Sequence, residues 1–205
     1  YGALGYSHHA VQDYALMRMM PNTLIAAPGD PMETRACMRY LVANPQPSYL
    51  RLGKAGEPCF HDTAPTVAPG RWLQVKEDKS RAESRRAILT TGAVLASVME
   101  WSGDAALEDV SVYSLPLWGM SSKPDQAAQA SRFRHVSTVE DHLSDGGFGS
   151  WMREALADDD AFAGRLRTHG LESAVCGMVG SQATLNRAGG LTLERIKRGL
   201  ADVRA

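Results

Sequence analysis

The feature that most limits the fold is an alternation of short apolar runs with longer helical stretches, punctuated by Pro and Gly. Residues 23–27 form an apolar run between turn residues, which reads as a buried strand. Pro28-Gly29-Asp30-Pro31 follows. Asp30 suits an N-cap, and Pro31 suits the first helical position, where its missing N–H costs nothing. That helix is predicted to reach about residue 43, and residues 47–52 read as the next strand. Strand, helix, strand in this order implies a parallel α/β layer. A preceding helix is expected over residues 9–20, capped by Ser7, with Ala10, Tyr14 and Met17 on one face.

The same rhythm returns at residue 87. Strands are expected at 87–91, 110–115, 135–140 and, briefly, 173–175. Helices are expected at 92–101, 125–130 and 147–157, with a closing helix at 193–203 capped by Thr192. Residues 87–205 therefore read as a complete small α/β domain with a mostly parallel sheet. Residues 1–55 do not, because two strands and their helices cannot cover both faces of a parallel sheet. Between them, residues 56–86 carry Gly56, Pro58, Pro65, Pro69 and Gly70 and then a charged run. This stretch reads as a connection, with a short hairpin around Trp72 to Val75.

Composition excludes several function classes. Lys and Arg total 22 against 23 Asp and Glu, so no overall field would recruit nucleic acid. No apolar run approaches the ~20 residues of a membrane helix, and no signal peptide is visible. The three cysteines, Cys37, Cys59 and Cys176, match no zinc or disulfide spacing, so they read as reduced thiols of a cytoplasmic protein. The chain opens at Tyr1, without Met and inside a dense motif, which reads as a trimmed or truncated product.

Two groups of motifs carry a family resemblance. The first is Gly5-Tyr6-Ser7-His8-His9-Ala10-Val11-Gln12-Asp13, then Arg18, Pro21-Asn22, Ala27-Pro28-Gly29-Asp30, Glu33 and Pro47-Ser48-Tyr49-Leu50-Arg51-Leu52-Gly53-Lys54. It resembles the Gly-x-Thr-His, Arg-x-x-Pro-Asn and Pro-x-Asp-x-x-Glu stretches of transketolase-like enzymes, and the strand that ends in their Gly-Arg or Ser-Arg. The second runs through Leu89-Thr90-Thr91-Gly92, Lys123-Pro124-Asp125, Val139-Glu140-Asp141-His142 and Gly146-Gly147-Phe148-Gly149-Ser150. It is similar to the opening strand, the Lys-Pro-Leu-Asp turn, the Glu-Glu-His and the Gly-Gly-Leu-Gly-Ser of the family's C-terminal domain. Each motif is weak alone; together and in order they are specific.

The resemblance implies an α/β chain with part of a pyrimidine-binding domain in 1–55 and a transketolase C-terminal domain in 87–205. It implies transfer of a two-carbon ketol unit on a sugar or ketol substrate. Thiamine diphosphate and Mg²⁺ are implied as cofactors, held mainly by parts absent from this sequence. The thiazolium would supply the carbanion chemistry and the protein orientation and electrostatics. Because the family's catalytic glutamate lies upstream of every motif here, the chain alone is expected to be inactive. The implied partner is a second copy in a homodimer, or an N-terminal transketolase subunit if the enzyme is split. Alternatives are another thiamine diphosphate enzyme, such as a deoxyxylulose-phosphate synthase or a 2-oxo acid dehydrogenase β subunit, or a non-catalytic assembly subunit. Three departures stand out: Leu4 where an aspartate commonly contacts sugar hydroxyls, Ser7 for Thr, and Lys54 where an arginine usually grips the sugar phosphate.

His8 is the catalytic candidate, since an imidazole titrates near neutrality and donates to a developing alkoxide or shuttles a proton. The bland alternative is a helix-start histidine bonded to a nearby carbonyl. His9 reads as a surface residue able to pair with Asp13 on the helix face. A metal set from His8, His9 and Asp13 is disfavoured, because adjacent histidines at a helix start point apart. Lys54 is the substrate-binding candidate, a point charge for a phosphate, against a solvated loop lysine. Arg51 lies within a strand and reads as packing or an interdomain ion pair. The glycines at 146–149 read as a tight turn rather than a phosphate cradle, since neither nucleotide-binding spacing is present. Glu140, Asp141 and His142 are assigned no catalysis.

Overall fold

The computed structural model describes residues 4–5, 8–78, 85–162 and 164–201. In chain order, helix α1 (Asp13–Arg18) leads into strand β1 (Leu24–Ala26), helix α2 (Pro31–Ala43) and strand β2 (Ser48–Leu50). As expected, Asp30 Oδ1 accepts from the Glu33 N–H at 2.7 Å and Pro31 opens α2. β1 and β2 pair in parallel, Leu24 opposite Ser48 and Ala26 opposite Leu50. The crossover helix is what allows two successive strands to run the same way.

Residues of the expected connection contribute structure. Strand β3 (Leu73–Lys76) lies antiparallel on strand β5 (Val110–Ser114), its pairing partner among the described residues. Strand β4 (Arg86–Thr90) precedes helix α3 (Leu95–Trp101), then β5 and the two-residue strand β6 (Leu117–Trp118). Helix α4 (Gln126–Ala130), strand β7 (His135–Leu143), helix α5 (Phe148–Ala155) and strand β8 (Leu166–Leu171) follow. Helices α6 (Gln182–Ala188) and α7 (Leu193–Ala201) end the described chain. The larger sheet has the order β3-β5-β4-β7-β8 and is parallel apart from β3. The smaller has the order β2-β1-β6, with β6 antiparallel to β1.

β6 therefore gives the first unit a strand that its own sequence lacks. Trp118 of β6 packs edge-on against Tyr14 at 5.3 Å and against Phe148 and Trp151, each at 5.2 Å. All four are buried in one cluster with Ile25 and Ala27. Such rings bury large apolar areas and add a geometric preference of about 0.5–1.5 kcal/mol per pair. The two units share a core, and residues 8–50 fold against residues 110–151.

Several expectations differ from the structure. The helix expected over 9–20 starts only at Asp13, because the Val11 carbonyl accepts from Leu143 N–H at 2.9 Å and is thereby kept out of the helical hydrogen-bond pattern. Ser7 lies outside the described residues. Residues 173–175 belong to a 3-10 turn, Ser173–Gly177, and the strand is β8. The Thr192 hydroxyl accepts from Arg195 N–H at 3.3 Å, a cap at the start of α7. No helix among the described residues is long and apolar enough to cross a membrane.

Under α2 lies a buried polar knot. Asp30 Oδ2 accepts from Phe60 N–H (2.8 Å), His61 N–H (3.0 Å) and His61 Nδ1 (2.9 Å). Glu33 Oε2 accepts from Gly29 N–H at 2.7 Å and the Ser114 hydroxyl at 2.8 Å. Burial pushes the Glu33 carboxyl up to about 7, and burial pushes Glu140 to about 8. Each binds its proton more tightly folded than unfolded, so each lowers stability as pH rises from the ordinary value of 4.5 to its own folded value. His135 and His169, held down to about 4 by burial, act in the opposite sense, but only below their ordinary 6.5. Above about pH 6.5 the carboxyls decide the sign. Urea midpoints should fall from about pH 6.5 to pH 8. Glu33→Gln, whose carbonyl still accepts from Gly29 and Ser114, should reduce that fall mainly below and around pH 7 and leave Glu140's part, up to about pH 8, in place. A slope unchanged by the substitution contradicts this account.

Candidate functional site

The segment before α1 is shaped by backbone constraints. The Gly5 carbonyl accepts from the N–H groups of His8 (3.0 Å) and His9 (3.2 Å), closing a turn. Gly5 has φ +54°, and a Cβ there would meet the backbone of Met178 and Val179, so only glycine suits the position. His8 through Val11 then run along one wall of a cleft of about 830 Å³. Other parts of the lining come from the end of β2 and the loop after it, from β7 and from α6.

Both residues singled out from the sequence, His8 and Lys54, line this cleft and are solvent-exposed. Among the described residues Lys54 has no carboxylate partner within ion-pair distance. Leu4 is exposed and is not one of the lining residues. His9 lines the cleft beside His8. Asp13 is engaged elsewhere, accepting from Tyr49 Oη and pairing with Arg51 Nε, each at 2.9 Å. It therefore stands in no ligand set with the two histidines.

Arg51 occupies the floor where the units meet. Its guanidinium pairs with Asp13 and, at 2.5 Å, with Asp141 Oδ1, and it lies 4.6 Å from the Tyr14 ring centroid. Burial alone would lower its pKa; Asp141, Tyr14 and Asp13 outweigh that and raise it. Gln182 Nε2 donates to Asp141 Oδ2 at 2.8 Å and tethers α6 to the same cluster. The interdomain ion pair expected for Arg51 is present. Sequence reasoning missed Tyr49 and Gln182; α6 offered only a Ser181 cap to mark it.

The glycine-rich turn closes on a residue of its own chain. Glu140 Oε2 and Oε1 accept from Phe148 N–H (2.6 Å) and Gly149 N–H (2.7 Å), filling the α5 N-terminus with an internal carboxylate. A Cβ on Gly147 would run into Glu140 and His142. His142 Nε2 accepts from Ala15 N–H at 3.3 Å, so its Nδ1–H donates to the Leu143 carbonyl at 2.7 Å. That neutral ring stacks on Tyr14 at 5.3 Å, and burial lowers its pKa. These residues brace the junction. Among the described residues one group, Asp30, Glu33 and His61, brings ligand atoms within 4.8 Å of one another. Asp30 Oδ2 already accepts from three N–H donors, while Glu33 Oε1 and His61 Nε2 are buried without a hydrogen-bond partner.

Residues 1–56 match the pyrimidine-binding domain of transketolase. Over 203 residues the chain is 31% identical to 1-deoxy-D-xylulose-5-phosphate synthase of Thermus thermophilus, covering 98% of this chain and 31% of that protein. It is 26% identical to one of the subunits of apulose-4-phosphate transketolase from Actinobacillus succinogenes, over 96% of this chain and 62% of that one. A structure titled "Split gene transketolase, inactive beta4 tetramer" superposes with TM-score 0.77 at 25% identity, over 97% of this chain and 62% of that one. Transketolase from Leishmania mexicana shares the fold, with TM-score 0.66 at 19% identity, over 97% and 28% of the two chains. The chain thus spans roughly a third to two thirds of the length of these proteins. With the motifs in family order, the shared sheets and these relatives, the chain is a member of the transketolase-like enzymes, corresponding to their C-terminal part.

Proposed function

We propose that this chain supplies the substrate-facing wall of a transketolase-like transferase that moves a two-carbon ketol unit to or from a phosphorylated sugar. The observation that carries the reading is that an imidazole, His8, and an ammonium without an ion-pair partner among the described residues, Lys54, line one cleft. Both relatives named above carry a phosphorylated sugar in their names. An exposed ammonium at the cleft suits the phosphate, and an imidazole suits an oxygen that gains or loses a proton.

Thiamine diphosphate and Mg²⁺ belong to this reading, held mainly by parts outside this chain. The glycine-rich turn is filled by Glu140, and in the Asp30–Glu33–His61 group both Asp30 oxygens and Glu33 Oε2 accept internal hydrogen bonds, leaving Glu33 Oε1 buried without one. The diphosphate and the divalent ion are assigned to a partner subunit or another part of the polypeptide, and no step is routed through them here. A neighbour titled a split-gene transketolase and a relative named as one subunit of a transketolase favour a partner chain, with a homodimer as the alternative. What this chain's own residues do is bind and orient. Lys54 holds the anionic end of the substrate, and His8 donates to or accepts from a substrate oxygen nearer the reacting carbon. A second reading, synthesis of a deoxyxylulose phosphate, is favoured by the 31% identity over nearly the whole chain. Product analysis separates the two.

The chain alone should give no ketol transfer above the rate of free thiamine; steady-state turnover by the purified 205-residue product contradicts this. In the full-length enzyme, His8→Ala should lower kcat/KM by ~10²-fold or more, the scale of a lost acid–base or oxyanion donor. His9→Ala should have a small effect. Lys54→Ala should raise KM for a phosphosugar by about ten- to a hundred-fold, the value of one charge-assisted hydrogen bond, with little change for the dephosphorylated analogue. Lys54→Arg should be tolerated. Equal phosphosugar-to-analogue KM ratios in parent and variants would remove Lys54 from the site.

A further inference from the structure

We propose that Arg51 is a positioning residue, holding the segment that carries His8 against the end of β7 and so setting where the imidazole meets the cleft. The inference rests on the reading of His8 as catalytic. A guanidinium has five N–H donors in a fixed planar fork. Here the four N–H groups of its two terminal nitrogens are spent, and Nε stands 2.9 Å from Asp13 Oδ2 in an ion pair. Nη1 donates to Asp141 Oδ1 at 2.5 Å and to Tyr14 Oη at 3.1 Å. Nη2 donates to the Ala10 carbonyl at 2.6 Å and to the Asp141 carbonyl at 3.2 Å.

Two consequences follow. First, Arg51 lines the cleft with both terminal nitrogens fully engaged, and two carboxylates around one guanidinium leave that cluster net negative. A substrate phosphate is steered away from it, toward Lys54. Second, the bond to the Ala10 carbonyl falls two residues after His8. The neighbouring Val11 carbonyl accepts from Leu143 N–H at 2.9 Å. Together these clamp the end of the His8 turn onto both sides of the junction, one clamp from β2's end and one from β7. A lysine has three donors on a single atom and cannot span Ala10, Asp13, Tyr14 and Asp141 at once.

The test uses the full-length enzyme with Arg51→Lys, and with Asp13→Ala as a milder release that leaves Arg51 balanced by Asp141. Arg51→Lys should lower kcat by ~10–100-fold while KM for a phosphosugar stays within about three-fold, since a misplaced catalytic group costs rate rather than ground-state binding. Asp13→Ala should do the same in smaller measure. Amide exchange of residues 8–12 should accelerate by ~10-fold or more in Arg51→Lys while β4 and β7 keep their protection. In a His8→Ala background, adding Arg51→Lys should change kcat by less than about three-fold, because the two act through one group. A large effect of His8→Ala beside unchanged rates in both other variants, additive losses, unchanged exchange of 8–12, or a loss in KM alone overturns the role of Arg51 and leaves His8 standing. His8→Ala without effect overturns the catalytic reading itself and this inference with it.

Discussion

One guanidinium between two carboxylates organises this molecule. Arg51 draws Asp13 from the first segment and Asp141 from β7 onto a single charge, with Tyr14 beneath the cation and Gln182 holding the far oxygen of Asp141. Burying three charges costs several kcal/mol per ion unless the geometry satisfies every donor. Here both terminal nitrogens of the fork are fully bonded and Nε is ion-paired, while Asp13 Oδ1 stays buried without a hydrogen-bond partner. The same set of bonds makes the cluster specific. A shift of the first sheet against the second would break several of these bonds together and leave a carboxylate buried without its counter-ion.

The shared apolar core works in the same direction. β6 leaves the second unit to complete the small sheet, and Trp118 brings Tyr14, Phe148 and Trp151 into one cluster. The cleft above the junction is thus bounded by residues from both units, His8 and Lys54 from the first and Asp141 and Gln182 from the second. Its shape is a property of the packed junction rather than of either unit. Neighbouring polar groups that look reactive in the sequence are consumed by the same bracing, Glu140 by the N-terminus of α5 and His142 by two backbone groups.

How much of this could be read beforehand follows the range of the interactions. The start of α2 was legible, because Asp30 and Pro31 act on backbone within a turn of themselves. β4, β5 and β7 were legible as apolar runs of the right length. β8 was not: Arg167, Thr168, His169 and Gly170 interrupt its hydrophobicity, and only pairing with β7 makes it a strand. The late start of α1 depends on Leu143, far along the chain from Val11. Likewise β3 finds its partner in β5 rather than in a local hairpin. In the site, His8 and Lys54 were legible only through the family motifs around them, since nothing in their local chemistry separates them from surface residues. Arg51 was expected to serve packing or an interdomain ion pair from within a strand, although β2 ends at Leu50, one residue before it. Arg51's partners were not legible, as Asp141 stands 90 positions away and Tyr14 37.

The central claim is that the cleft bounded by residues 8–11, 49–54 and 182–186 is where a phosphorylated sugar binds. The most direct measurement is a crystal structure of the full-length enzyme, assembled with its partner and cofactors, in complex with a non-turnover phosphosugar analogue. The account predicts the phosphate within about 3 Å of Lys54 Nζ, a charge-assisted hydrogen-bond distance. It also predicts the His8 imidazole on a sugar oxygen and the Arg51 cluster unchanged beneath. A well-ordered analogue bound elsewhere, or bound here with its phosphate turned away from Lys54 and no contact to His8, would contradict it.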